Sequence, residues 1–236
     1  MNDFSVQQRT LTSEEAYELQ RAFILKVFGW MTAGLLITGI MSMITLSSRA
    51  LLEFIFSQQI VYIGLILAQL GLVIWLSVRI EKMSATTATL VFIGYSALTG
   101  LTLSVVFLAY TLSSIASTFF VTAGMFGAMA AYGSVTKRDL TAMGSFMAMG
   151  LIGMILASVV NMFLHNETIY WITTYVGVLI FVGLTAYDTQ KIKAMSVLSL
   201  EGGEVEQKGA IMGALRLYLD FINLFLLMLR LLGRRK

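Results

Sequence analysis

The polar side chains Arg216, Asp220 and Asn223 break the middle of the apolar run Ala210 to Leu232 at the end of this 236-residue chain. A carboxylate about ten residues inside such a run lies about 15 Å from the helix end at a rise of about 1.5 Å per residue, too deep for a short aspartate to reach water. Asp220 therefore needs a partner or a proton. Arg216, four positions earlier on the same helix face, can supply an intrahelical ion pair. The alternative is a carboxylate lining a polar cavity, since acids buried in apolar helices mark routes for ions or protons.

A second acid, Asp188, follows the preceding apolar run, Thr168 to Tyr187, one turn before Lys191 and Lys193. By itself it is an ordinary interfacial charge. The two runs are consecutive and can pack antiparallel, however, and two carboxylates brought together in low dielectric cannot both ionise cheaply, so the pair would share one proton. Such a pair is a pH switch. Arg79, closing the earlier run Ile60 to Val78, lies at a similar level and is expected to latch the charged pair, snorkelling to the interface being its simpler role. Arg216 and Asn223 are accessory candidates. Asp188 and Asp220 would also hold a cation weakly: calcium takes about six to eight oxygen ligands in a closed site, and permeation needs an ion that can leave.

The elements that carry these residues follow from composition. Hydrophobic residues make up 58% of the chain and charged ones only 12%, against about 25% charged in soluble domains. Too few polar side chains remain to cover a water-facing globule, so the apolar surface must face lipid. Continuous apolar runs near 20 residues indicate helices, whereas barrel strands alternate over about ten. The runs are Val27 to Ser48, Ile60 to Val78, the uncharged stretch Met83 to Thr136 cut in two at Tyr110 to Ser117, Leu140 to Leu164, Thr168 to Tyr187 and Ala210 to Leu232. The expectation is an all-α integral membrane protein of seven spans: a polar N-terminal tail, residues 1–21, and one membrane domain, residues 22–236. The tail lacks a basic n-region, so the first run reads as an uncleaved helix. The one long polar loop expected is Asp188 to Gly209, with Gly202 and Gly203 as its flexible centre. Proline is absent, and Gly209 and Gly213 can admit a close neighbour at the start of the last helix.

With no cysteine, and one histidine, His165, between two runs, thiolate chemistry and histidine-rich metal sites are excluded. The net charge of +3 and the pI near 9.2 reflect loop lysines and arginines, not nucleic-acid binding. Arg9, Arg21, Lys26, Arg79, Lys82, Lys137, Arg138, Lys191, Lys193 and Lys208 fall on the N-terminal side, and the opposite connections hold only Arg49. The positive-inside rule makes that side cytoplasmic. Seven spans then leave Arg234, Arg235 and Lys236 outside, against the rule, unless the last segment re-enters.

Tyr187-Asp188-Thr189-Gln190-Lys191-Ile192 and Leu217-Tyr218-Leu219-Asp220-Phe221-Ile222-Asn223-Leu224-Phe225 resemble the two hallmark stretches of the Bax inhibitor-1 family. The resemblance implies six helices around a central seventh and a pH-sensitive calcium leak gated by Asp188 and Asp220. It also implies a functional arginine in the second helix, at Arg79. The Gly233-Arg234-Arg235-Lys236 tail departs from the longer charged tails of many eukaryotic relatives, which puts any anti-apoptotic role carried by such tails in doubt. Minimal loops favour a bacterial inner membrane. The expected partners are lipid, calcium and protons, with a membrane-protein partner open; no tightly bound cofactor and a monomeric state are expected.

Paired aspartates also suit an intramembrane aspartyl protease. That enzyme class needs Gly-x-Gly-Asp, whereas Asp220 follows Leu217-Tyr218-Leu219, and its proline motif is impossible here. A rhomboid-like serine protease lacks its Gly-x-Ser-x-Gly, and a retinal protein lacks its last-helix lysine. The chain is read as no enzyme. Two alternatives to a leak stay open: a non-conducting regulator of a membrane protease or death pathway, and a proton-coupled calcium exchanger.

Overall fold

A computed structural model describes residues 12–197 and 202–236. The helices are α1 (Ser13–Ser47), α2 (Arg49–Phe56), α3 (Gln59–Arg79), α4 (Ala85–Ala109), α5 (Leu112–Val135), α6 (Thr141–Leu164), α7 (Glu167–Met195) and α8 (Gly203–Leu232), with a 3₁₀ turn at Ile80–Lys82. All but α2 are long and apolar enough to cross a membrane. In lipid an unbroken helix satisfies every backbone group internally, which is what a proline-free chain of this hydropathy can do throughout its apolar runs. The sixth and seventh expected spans are α7 and α8. Asp3 and Arg9 of the N-terminal tail lie outside the described residues.

Helix ends are set by local chemistry. Thr12 and Glu15 form a reciprocal capping box that starts α1 well before the apolar run, so residues 13–21 of the expected tail are its first turns. Ser84 caps α4 and Asn166 caps α7. His165 closes α6 in the left-handed region at φ 49°, and Gly202 and Gly203, at φ 64° and 54°, make the turn into α8 where a side chain would be strained.

The expected loop Asp188 to Gly209 is therefore corrected. α7 continues to Met195 and α8 begins at Gly203, so Gly202 and Gly203 open a helix rather than centre a flexible loop. The polar residues of this stretch solvate the helix ends instead of breaking them: Glu204 and Glu206 occupy the first turn of α8, where the helix dipole favours acids. They also tie α8 to its neighbours. The Ala85 amide donates to Glu204 (2.8 Å), Lys26 pairs with Glu206 (3.0 Å), and Lys208 donates to the Glu81 carbonyl (3.1 Å).

α8 is the most buried span; Leu217, Tyr218 and Leu224 have no exposed surface. α1, α4, α5 and α7 pack directly on it, while α3 packs chiefly on α4 and α6 on α7, one layer out. Close approach is made by small residues. Gly133 of α5 lies against the Ala186 backbone of α7, Gly100 of α4 against Thr38 and Met41 of α1, and Gly213 of α8 receives Val27 and Ile192.

α8 does not re-enter. It runs unbroken to Leu232, and the residues after it pair with the α4–α5 corner on the face opposite the start of α1: the Thr111 amide donates to the Arg234 carbonyl (3.1 Å), and Lys236 donates its backbone amide to Ala109 (3.0 Å) and its ammonium to Phe107 (2.8 Å). The last carbonyls of α4 have no partner within their own helix, and a cation there complements the dipole.

Candidate functional site: a carboxylate pair between α7 and α8

Asp188 stands seven residues before the end of α7, about 10 Å inside the helix, rather than at its terminus. Asp220 stands twelve residues before the end of α8, about 18 Å in, and is 5% exposed. The antiparallel packing of α7 on α8 brings the two carboxyls into side-chain contact. Asp220 Oδ2 is buried with no donor. Ionised, two carboxylates facing each other supply no hydrogen between them; a carboxyl that carries a proton donates one.

Arg216 faces the pair, its Nη1 3.5 Å from Asp188 Oδ1. The intrahelical pairing of Arg216 with Asp220 considered for this helix is thus replaced by a bridge between helices: the guanidinium reaches across to α7, and its Nε stays buried and unpartnered. One arginine confronts two carboxyls. Lys191 adds a weaker positive field at Asp188 and sits over the Tyr187 ring at 5.8 Å.

Arg79 ends α3 exposed and makes no ion pair among the described residues, so the cation in contact with the carboxylates is Arg216. Asn223 is also apart; its amide donates to the Leu219 carbonyl of its own helix (2.8 Å).

Side chains not singled out by their type hold the pair in place. Gln190 accepts from the Leu140 amide (2.9 Å) and donates to the Arg138 carbonyl (2.8 Å), and Lys193 donates to the Ser134 carbonyl (2.7 Å), so the end of α7 is clamped to the α5–α6 connection. The Tyr187 ring fills the space a side chain at Gly144 would take. On α8, Tyr218 shares a 2.6 Å hydrogen bond with Thr38 and stacks edge-on against Phe92 and Tyr95. Gln190 and Tyr218 both lie within the two hallmark stretches, which was the available signal; Gly133 and Gly144 carried none.

On the side where α8 begins, a crevice of about 500 Å³ runs between the end of α3, the end of α7 and the start of α8, with Arg216 at its inner wall. Beyond the pair the way is closed by aromatic rings: Phe119 meets Phe221 and Phe225 at 5.4 and 6.1 Å, and Phe126 meets Phe221 at 5.5 Å. A small void of about 120 Å³ beside Thr38 and Ser42 lies past them. The crevice reaches Arg216 but neither carboxylate lines it, and the rings pack on the other side of the pair. Among the described residues no group of three or more His, Cys, Asp or Glu comes together.

The family model described as inhibitor of apoptosis-promoting Bax1 matches residues 20–236. The chain is 53% identical over 217 residues to the inner membrane protein YbhL of Escherichia coli, covering 92% of this chain and 93% of that protein. It is 45% identical to a protein of Borreliella burgdorferi, over 92% and 94% of the two chains, and 43% identical to one of Rickettsia prowazekii over the whole of both. With its seven spans and its two aspartate stretches on adjoining helices, the chain belongs to the Bax inhibitor-1 family.

Proposed function

We propose that this protein is a pH-sensitive calcium leak of a bacterial inner membrane, with Asp188 and Asp220 as gate and weak cation site and with its N-terminus cytoplasmic. The observation that carries the reading is Asp220 Oδ2, buried without a donor against Asp188 while a single arginine serves both acids. Two like charges about 4 Å apart repel by about 4 kcal/mol at an effective dielectric near 20, more than hydrogen bonding alone returns. In the closed arrangement the pair holds one proton, and its remaining negative charge is held by Arg216. A second proton removes that charge, releases Arg216 and frees α7 from α8. Leak then rises as pH falls. Calcium in the crevice competes with Arg216 for the charged pair and is held weakly because two carboxylates coordinate it incompletely; the second proton that opens the path also releases the ion. In this reading the protein is no enzyme, works as a monomer and uses no tightly bound cofactor.

The test is calcium flux into proteoliposomes across pH 5 to 8, with and without a proton gradient. Downhill flux that grows on acidification is expected. Uphill movement driven by protons would make the protein an exchanger, and absence of flux from folded protein would favour a non-conducting regulator.

A further inference from the structure

On the face where α8 ends, connecting segments carry few basic residues, yet Arg230, Arg234, Arg235 and Lys236 gather there. The backbone of Arg234 and the ammonium of Lys236 are used in tying the chain end to α4 and α5. Arg230 and Arg235 instead line a crevice of about 750 Å³ between the end of α6, the start of α7 and the end of α8. The Arg230 guanidinium lies 5.4 Å over the Tyr170 ring, and the Arg235 side chain interacts with Tyr110 and Tyr170, so both are held toward one opening. Hydrogen bonding to Tyr110, foremost, raises the Arg235 guanidinium above its ordinary value. Glu167 is the one carboxylate in the lining, leaving the two guanidiniums in excess.

The opposite wall of the crevice comes from α6 and is mostly apolar: Ile155, Val159 and Met162 line it, with Ser158 and Asn161 between them, and this helix is the least buried of the spans. Trp171 and Tyr175, exposed near the start of α7, are of the residue types that gather at headgroup depth. A charged end at that depth, continuous with an apolar lane running into the bilayer, has the two-part chemistry of a phospholipid. We propose that this crevice is an anionic phospholipid site: Arg230 and Arg235 bind the phosphate, and one acyl chain lies along α6. Arginine suits the role because its planar fork meets phosphate oxygens two at a time.

Native mass spectrometry of the purified full chain in detergent, with dioleoylphosphatidylglycerol or dioleoylphosphatidylcholine added at equal concentration, tests it. One phosphatidylglycerol per chain should be retained about tenfold better than phosphatidylcholine, a difference of about 1.4 kcal/mol. The double variant Arg230→Gln, Arg235→Gln should lose that preference, and Arg49→Gln, on the same face but paired with Glu53, should keep it. Should the double variant fold poorly, Val159→Trp at the exposed apolar wall blocks the acyl lane and should lower retention with both arginines intact. Equal retention of the two lipids, an unchanged preference in the double variant, or displacement by excess inorganic phosphate, which would mark a free-anion site, would each overturn the proposal.

Discussion

Charge arithmetic at the α7–α8 contact decides what each substitution does. Asp220→Asn keeps the shape, puts an amide where Asp220 Oδ2 has no donor and removes one titrating group. Its expected effect is an altered leak with a flattened pH profile, read by calcium flux at pH 5 to 8; an unchanged profile would remove the pair from the gate. Arg216→Gln takes away the cation that holds Asp188. Leak should rise at neutral and higher pH, where the ion pair is present, and converge with the unsubstituted protein on acidification. Arg79→Ala was expected to do the same from the level of Arg79 beside Asp188, but with Arg79 exposed at the end of α3 the larger effect is assigned to Arg216. The two variants measured side by side at pH 8 separate the roles.

Among elements, the α5–α7 contact is the least forgiving. A Cβ at Gly133 would collide with the Ala186 carbonyl, which is backbone and cannot rotate away, two residues from Asp188. Gly133→Ala should therefore lower stability by about 1–3 kcal/mol, the range for overpacking, seen as a lower thermal midpoint in detergent. Gly124→Ala, on the same helix in open space, should be neutral. The start of α6 makes a contrasting case. The Thr141 side chain and amide hydrogen-bond to Asp139, and this holds its carboxyl below the ordinary value. A depressed carboxylate stabilises the fold above its unfolded value and loses that contribution as pH falls through the folded one. Asp139→Asn should thus lower the thermal midpoint slightly at pH 7, with the difference vanishing under strongly acidic conditions.

For the whole molecule, seven crossings place the two described ends on opposite faces, and α8 is the most buried of the spans. The chain has no cysteine, which makes single introduced cysteines clean reporters. Thr12→Cys and Ser113→Cys should react with an impermeant thiol reagent from opposite sides of oriented vesicles. Labelling of both from one side would contradict seven spans. The rings of Phe119, Phe126, Phe221 and Phe225 give the molecule one sealed half. Phe221→Ala empties the centre of that cluster and should raise leak at every pH, since it opens the barrier without touching the titrating groups.

The apolar character, the number of spans and the position of the two aspartates within them were legible in the chain, because hydropathy acts over windows of about 20 residues; the short helix α2 was not, being too short for such a window. Family membership was legible for a related reason: the two stretches around Asp188 and Asp220 combine site residues with the clamps that hold them. Helix ends were less so. The polar residues after Asp188 read as a loop, yet a helix leaving the bilayer keeps its hydrogen bonds in water, and polarity alone does not mark where it stops. Which cation meets the carboxylates was beyond sequence altogether. Arg216 lies four residues from Asp220, a spacing that favours pairing within one helix, and only the rotation of α8 against α7, set by Gly133 on Ala186, Gly213 on Ile192 and Tyr218 on Thr38, turns it to Asp188. Chain spacing determines what can meet along a helix; packing of small against large residues between helices decides what does.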